Sequence, residues 1–170
     1  TTDDREIAAR IRQLRNHGLI GRDTVGKFGS VSRMDEIQAA ILRFRLKHLS
    51  QLVQRRRENA RLYRSILNLD VIFHPAETLL EFNTWHTFVI QVDRRDQLQE
   101  YLKSENIETS VHYPVPIHLQ PASVTLGYSQ GDFPVTERQA NRILTLPVHQ
   151  HLAEEEISRV ATTINDYFGC

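Results

Sequence analysis

The chain has little cysteine and no long apolar run. Its single cysteine among 170 residues, Cys170, cannot form a disulfide within the chain. No apolar segment approaches the roughly 20 residues that a membrane-spanning helix needs. The first residues, TTDDREIAARIRQLRNHG, also lack the apolar core of a signal peptide. These absences predict a soluble, cytoplasmic protein.

The chain also has no net charge, with 21 basic and 21 acidic side chains. A balanced chain has no global field that selects nucleic acid or membranes. The charge is nevertheless uneven, because eight basic residues and one acid, Glu58, lie between Arg43 and Arg64. A solvated or interdomain helix face explains this run, and a nucleic-acid-binding module is the alternative. We predict no nucleic-acid or membrane partner, because no aromatic platform or known motif accompanies the run.

The stretch from Gly29 to Leu49 is the most strongly patterned part of the sequence. Ser32 has an acid, Asp35, three residues later, which is typical of a helix N-cap. A stripe with helical spacing follows and predicts a core helix: Met34, Ile37, Ile41, Phe44 and His48.

The other segments predict an α/β fold with a short mixed or antiparallel sheet packed by helices, after a helical N-terminal arm. We expect further helices from Thr2 to about Gly18, over 50–68, 93–103, 134–143 and 154–168. We expect strands over 71–73, 85–92, 107–111 and 144–148, and loops over 20–32 and 127–133.

The segment His112–His118 carries the most chemistry. Pro114 and Pro116 hold the backbone extended and remove two amide donors. Two histidines and Tyr113 on such a segment could grip a polar ligand, or they could anchor the loop by hydrogen bonds. No cysteine cluster or HExxH motif accompanies the histidines, so we predict no metal site. Lys27 lies in a polar loop and is interpreted as a solvated lysine.

Several strings resemble the DegT-type sugar aminotransferases, which are pyridoxal-phosphate enzymes that act on nucleotide-linked keto sugars. They occur in the family's order: RQLRNHGL (12–19), SRMDEIQAAIL (32–42), WHTFVIQV (85–92), HYPVPIHLQPA (112–122) and GYSQGDFPVTERQANRILTLPVH (127–149). The resemblance covers nearly the whole chain.

The resemblance implies the C-terminal half of a fold-type I transferase. Residues 1–68 would be a helical arm and a dimer and cofactor-contact loop at the end of the large domain, and residues 69–170 the small α/β domain. It also implies a homodimer that transfers an amino group, usually from glutamate. The Schiff-base lysine and the rest of the large domain would lie upstream of Thr1, so we assign no catalytic residue and expect the chain alone to be inactive.

The resemblance also implies site residues. Ser32 and Arg33 would contact the pyridoxal phosphate, and His112, Tyr113 and His118 would lie near the nucleotide-sugar entrance. One position departs from the family pattern, because Val31 stands where the family has an asparagine that contacts the cofactor phosphate of the neighbouring subunit. Valine donates no hydrogen bond, so Ser30 or Ser32 would have to substitute.

Two further functions stay open beside the nucleic-acid module. A cofactor-dependent sugar dehydratase would use the same scaffold with another residue in place of the upstream lysine. A catalytically inactive binding or regulatory domain would keep the fold without the chemistry, and Val31 is compatible with that loss.

Overall fold

A computed structural model describes residues 1–74 and 76–170. Within them the chain forms two compact units, Thr1–Leu49 and Ser50–Cys170. The division falls before the 68/69 boundary expected from the sequence, because the arginine-rich helix packs with the second unit. As a boundary between the domains of a longer enzyme, 68/69 stays a prediction.

The described residues form six α-helices and two β-strands. The helices are α1 (Arg5–Leu14), α2 (Glu36–Leu46), α3 (Leu49–Ile66), α4 (Arg95–Ser104), α5 (Pro134–Ala140) and α6 (Glu154–Phe168). The strands are β1 (Phe88–Gln91) and β2 (Ile143–Leu146), and two 3-10 turns lie at Ile117–Leu119 and Pro121–Leu126. None of these helices is long and apolar enough to cross a membrane.

The start of α2 differs from the prediction. The helix begins at Glu36 with Asp35 as its N-cap, and the Asp35 amide donates to Gln38 Oε1 at 3.0 Å. The predicted cap, Ser32, is wrong, because its backbone amide pairs with the Arg15 carbonyl at 3.0 Å, before the helix begins. An aspartate with a glutamine three residues later forms the reciprocal cap instead.

The apolar stripe of α2 is also not a core in this chain. Ile37 is 71% exposed and Phe44 64% exposed, and no residue of the helix is buried. The periodic pattern correctly predicted a helix with an apolar face, but the described residues do not cover that face.

The second unit contains a two-stranded antiparallel sheet. Phe88 pairs with Leu146 and Gln91 with Ile143. Isolated antiparallel bridges extend the sheet on each side, with Phe73 opposite Gln91 and Ser110 opposite Thr145. The predicted strands 71–73 and 107–111 are thus single bridges, while the expected α/β class with a short antiparallel sheet is confirmed.

The core of the second unit lies between this sheet and helices α3, α4 and α6. The predicted inward face of β1, with Phe88, Ile90 and Val92, is fully buried. The predicted inner face of α6 is buried as well, at Ile157, Val160, Ala161 and Ile164. Burying such side chains contributes about 1.5–3 kcal/mol each, which fixes the strand ends where the histidines discussed below lie.

His74 is a titratable group within this core. Its ring lies 5.1 Å from the Phe88 ring, and Nδ1 has no hydrogen-bond partner among the described residues. Burial, with a contribution from the positive charge of Arg64, lowers the pKa of His74 below 6.5. The unfolded chain therefore gains a proton at His74 as the pH falls below about 6.5, before the folded chain does.

We expect stability to decrease as the pH falls below about 6.5, and to decrease less in His74→Phe, which keeps an aromatic ring in the core. The pKa values of Glu77 and Glu137 are lowered from 4.5, so the stability that they contribute is lost only as the pH falls below about 4.5. Urea unfolding at several pH values measures the effect. Parallel pH profiles for the wild type and His74→Phe would contradict it.

Candidate functional site

The predicted site residues belong to different units. Ser32 and Arg33 lie in the first unit, whereas His112, Tyr113 and His118 lie in the second. The two sets are therefore described separately, as a hairpin and as a cleft.

The segment after α1 is a loop, as expected from its composition, and isolated bridges and backbone hydrogen bonds fold it into a hairpin. Asn16 pairs with Val31 and Leu19 with Val25 in antiparallel bridges. The His17 amide donates to the Ser30 carbonyl at 3.1 Å, which closes the base of the hairpin. The segment therefore presents its side chains on a defined backbone.

The hairpin brings Arg33 to Asn16. The Arg33 guanidinium donates to Asn16 Oδ1, and Arg15 Nε donates to the Ser32 carbonyl at 2.8 Å. Residues paired across an antiparallel bridge point to the same face, so the side chains of Asn16 and Val31 are neighbours. Because Oδ1 accepts from Arg33, the amide nitrogen of Asn16 is the group that can donate to a ligand beside Val31.

His112 lines a cleft of the second unit that has a volume of about 1380 Å³. Its Nδ1 lies 3.0 Å from Thr145 Oγ1 on β2. The same cleft is lined by His86 and His149, which the sequence had not indicated as substrate contacts. The sequence signal for these two histidines is their position. His86 lies just before β1 and His149 just after β2, which is the same end of the sheet.

Tyr113 does not line this cleft. Its side chain is 73% exposed and borders a smaller hollow of about 380 Å³, together with Thr136 and Gln139. The rings of His112 and Tyr113 lie edge to face with their centroids 5.4 Å apart, yet His112 lines the cleft and Tyr113 borders the smaller hollow.

His118 is buried, and its Nε2 lies 3.0 Å from Glu137 Oε1. Glu137 also accepts from the amides of Gly131, at 2.8 Å, and Phe133, at 3.3 Å. The Gly131 amide and then His118 hold the pKa of the Glu137 carboxyl below its usual value. This geometry favours the anchoring role for His118, and direct substrate contact by His118 stays a prediction.

The arginine run of α3 makes contacts within the second unit. Arg57 donates to both carboxylate oxygens of Glu77, at 2.6 and 3.2 Å, and to the Asn83 carbonyl at 2.6 Å. Its hydrogen bonds, with that of the Asn83 amide, lower the pKa of Glu77. Arg55 donates to the Leu152 carbonyl at 3.2 Å. These contacts explain part of the run without a nucleic-acid partner.

One face of α3 also holds the loop that follows β2. Tyr63 donates to the Pro147 carbonyl at 2.8 Å, and Asn59 Nδ2 to the His149 carbonyl at 2.9 Å. Burial raises the pKa of Tyr63, so its hydroxyl stays a donor. In the described part of the chain, no group of three or more potential metal-ligating side chains comes together.

The chain belongs to the DegT/DnrJ/EryC1/StrS aminotransferase family, which it matches over residues 1–165. The resemblance predicted from the sequence is thereby confirmed.

Known relatives show how much of such a protein is present. The chain is 40% identical over 168 residues to the erythromycin biosynthesis sensory transduction protein EryC1 of Saccharopolyspora erythraea, covering 96% of this chain and 45% of that protein. It is 38% identical to the dTDP-3-amino-3,6-dideoxy-alpha-D-galactopyranose transaminase of Aneurinibacillus thermoaerophilus, covering 98% and 46%. The chain thus spans about half the length of these curated relatives.

A solved structure supports the fold. The crystal structure of S. venezuelae DesV in complex with a ketimine intermediate matches with a TM-score of 0.88 and 36% identity. The match covers 100% of this chain and 46% of that one.

Proposed function

We propose that this chain is the C-terminal part of a pyridoxal-phosphate-dependent aminotransferase. The enzyme would transfer an amino group, from glutamate, to a keto sugar linked to a nucleoside diphosphate. The observation that carries the proposal is the family match over residues 1–165, with relatives that are nucleotide-sugar transaminases. We also propose that the complete enzyme is a cytoplasmic homodimer.

The residues of this chain suit a supporting role toward the cofactor. All three lysines, Lys27, Lys47 and Lys103, are exposed, Lys103 at the open cleft of the second unit, so none is desolvated as an activated lysine is. The catalytic lysine would therefore come from outside this chain. Pyridoxal phosphate, when bound, supplies the electron sink for amino transfer.

The hairpin fits a contact with the cofactor phosphate. The hairpin carries three donors, the half-buried Asn16 amide and the exposed Ser32 hydroxyl and Arg33 guanidinium, and Arg33 adds a positive charge. Val31 has no donor, so we propose that its neighbours Ser32 and Arg33, with Asn16, hold the phosphate. These residues would bind and orient the cofactor and would not transfer protons.

On the substrate side, we propose that His112 and Tyr113 contact the nucleotide sugar. His118 would support this contact indirectly, because its hydrogen bond to Glu137 anchors the segment that carries Tyr113 to α5. The fixed φ angles of Pro114 and Pro116 would limit the motion of this segment while substrate enters.

The proposal is tested by assaying the full gene product that carries this chain, beside the 170-residue chain alone. Each is given pyridoxal phosphate, glutamate and a dTDP-linked 4-keto-6-deoxy sugar, and 2-oxoglutarate formation is followed. We expect product from the full protein and none from the chain alone, because no lysine of the chain is enclosed.

Amino transfer by the chain alone would contradict this assignment. Loss of a sugar hydroxyl without 2-oxoglutarate formation would indicate a dehydratase instead. Binding of the sugar nucleotide without turnover by the full protein would indicate an inactive binding domain.

A further inference from the structure

Three histidines lie near one end of the sheet. Because β1 and β2 are antiparallel and Phe88 pairs with Leu146, the start of β1 lies beside the end of β2. His86 precedes β1 and His149 follows β2, while His112 is bonded to Thr145 within β2. All three line the 1380 Å³ cleft, and all come from the second unit.

Helix α3 fixes the backbone at two of these histidines. Arg56 Nη1 donates to the His86 carbonyl at 2.9 Å and to the Trp85 carbonyl at 3.2 Å, and Arg56 Nε donates to Gln150 Oε1 at 3.0 Å. Asn59 holds the His149 carbonyl. One guanidinium thus joins the segment before β1 to the loop after β2, and both histidine side chains remain exposed.

The hydrogen bonds of His149 also define which of its ring nitrogens can donate to a ligand. Its Nδ1 accepts from the His151 backbone amide at 3.3 Å. In the neutral ring an accepting Nδ1 leaves the proton on Nε2, so His149 can donate a hydrogen bond from Nε2 to a ligand. The ring of His112, held at Nδ1 by Thr145, likewise has Nε2 for a ligand.

The charges around the cleft are balanced. Basic and acidic side chains both line it: Arg56, Lys103, Arg159, Glu100, Glu108 and Glu156. A mixed lining with imidazoles and the hydroxyls of Thr87 and Thr145 offers donors and acceptors together. Such a lining suits a ligand with many hydroxyl groups better than a simple anion, and the volume is ample for a ligand of nucleotide-sugar size.

We propose that His86 and His149 contact the sugar nucleotide beside His112, and that Arg56 is the residue that positions both of them. This inference rests on the proposed function for the class of ligand. It places the main sugar-nucleotide contacts of this chain at the end of the sheet rather than along residues 112–118, because Tyr113 and His118 do not line the cleft.

The first test is a titration of the isotope-labelled full gene product that carries this chain with dTDP-glucose, followed by NMR. The described residues that line the cleft all belong to the second unit, so their signals report on this site. We expect His86→Ala and His149→Ala each to weaken binding about three- to tenfold, the usual effect of losing one hydrogen bond. His48→Ala is the matched control, because His48 is an exposed histidine of the first unit and does not line the cleft.

Arg56 is tested by ring signals as well as affinity. In Arg56→Met we expect the imidazole signals of His86 and His149 to shift and binding to weaken, with Arg56→Lys intermediate. Arg61→Met controls for losing an arginine from the same helix, since Arg61 is exposed. A purely structural role would lower the melting temperature without moving those signals, and that result would overturn the positioning role.

The proposal is overturned if the wild-type full gene product shows no shift at millimolar dTDP-glucose, or if both alanine variants bind as tightly as wild type. Its failure is distinct from failure of the proposed function. Binding through His86 and His149 without amino transfer by the full gene product would support this site and contradict the aminotransferase. Amino transfer by the full gene product that is unchanged in both histidine variants would support the aminotransferase and contradict this site.

Discussion

Replacing Tyr63 with alanine is expected to lower the free energy of unfolding of the second unit by about 3–5 kcal/mol. Tyr63 is completely buried, and its ring stacks on Phe88 with the centroids 4.9 Å apart. Its hydroxyl donates to the Pro147 carbonyl at 2.8 Å. The alanine variant loses the packing and the hydrogen bond together, and it leaves a cavity between α3 and the sheet.

Tyr63→Phe separates the two contributions, because it keeps the ring and removes only the donor. We expect it to cost about 1 kcal/mol. Tyr128→Phe, at a half-exposed tyrosine, should change stability by less than about 0.5 kcal/mol. Urea unfolding of the three variants measures these differences. A Tyr63→Ala variant within about 1 kcal/mol of the wild type would show that α3 does not clamp the loop after β2.

The helices of the second unit were predictable because their apolar patterns are long and the elements against which they pack belong to this chain. The inner face of α6, from Ile157 to Ile164, is buried as its spacing indicates. The stripe of α2 has similar spacing yet is exposed. Periodicity predicts which face of a helix is apolar, but it does not indicate which element covers that face.

The hairpin of the first unit could not be predicted from composition. Its pairs, Asn16 with Val31 and Leu19 with Val25, lack the alternation of a half-buried strand. The pairing depends on backbone hydrogen bonds and on glycines that allow two backbones to approach. The contact between Arg33 and Asn16 follows from this pairing, so the resemblance implied Arg33 as a contact but did not indicate Asn16.

The cleft shows a similar limit. The sequence indicates His112 because it lies in a chemically rich segment, whereas His86 and His149 are 63 residues apart in the numbering and line one cleft only because β1 and β2 pair. The sequence predicts a solvated or interdomain face for the arginines of α3, because it does not show which carbonyls lie within their reach. Long-range pairing, rather than local pattern, decides both features.

Gly18→Ala is expected to disrupt the hairpin that carries Asn16 and Arg33. Gly18 has φ of +74°, and a Cβ there would lie 1.7 Å from the Lys27 carbonyl oxygen. Such overlap forces the two backbones apart, at a typical cost of about 1–3 kcal/mol, with the left-handed conformation adding about 1–2 kcal/mol. We expect hydrogen exchange at the Gly26 and His17 amides, which close the hairpin, to accelerate at least about tenfold.

Gly127→Ala is the matched control, because Gly127 has nearly the same φ, +76°, but no atom within 4 Å of an added Cβ. It carries the conformational cost without the overlap, and it lies in the second unit, so exchange in the hairpin should not change. Unchanged exchange in Gly18→Ala would mean that the hairpin accommodates a methyl group at this position. The close approach of Gly18 to Lys27 would then not hold the pairing of Asn16 with Val31, and the proposed phosphate contact would lose its fixed backbone.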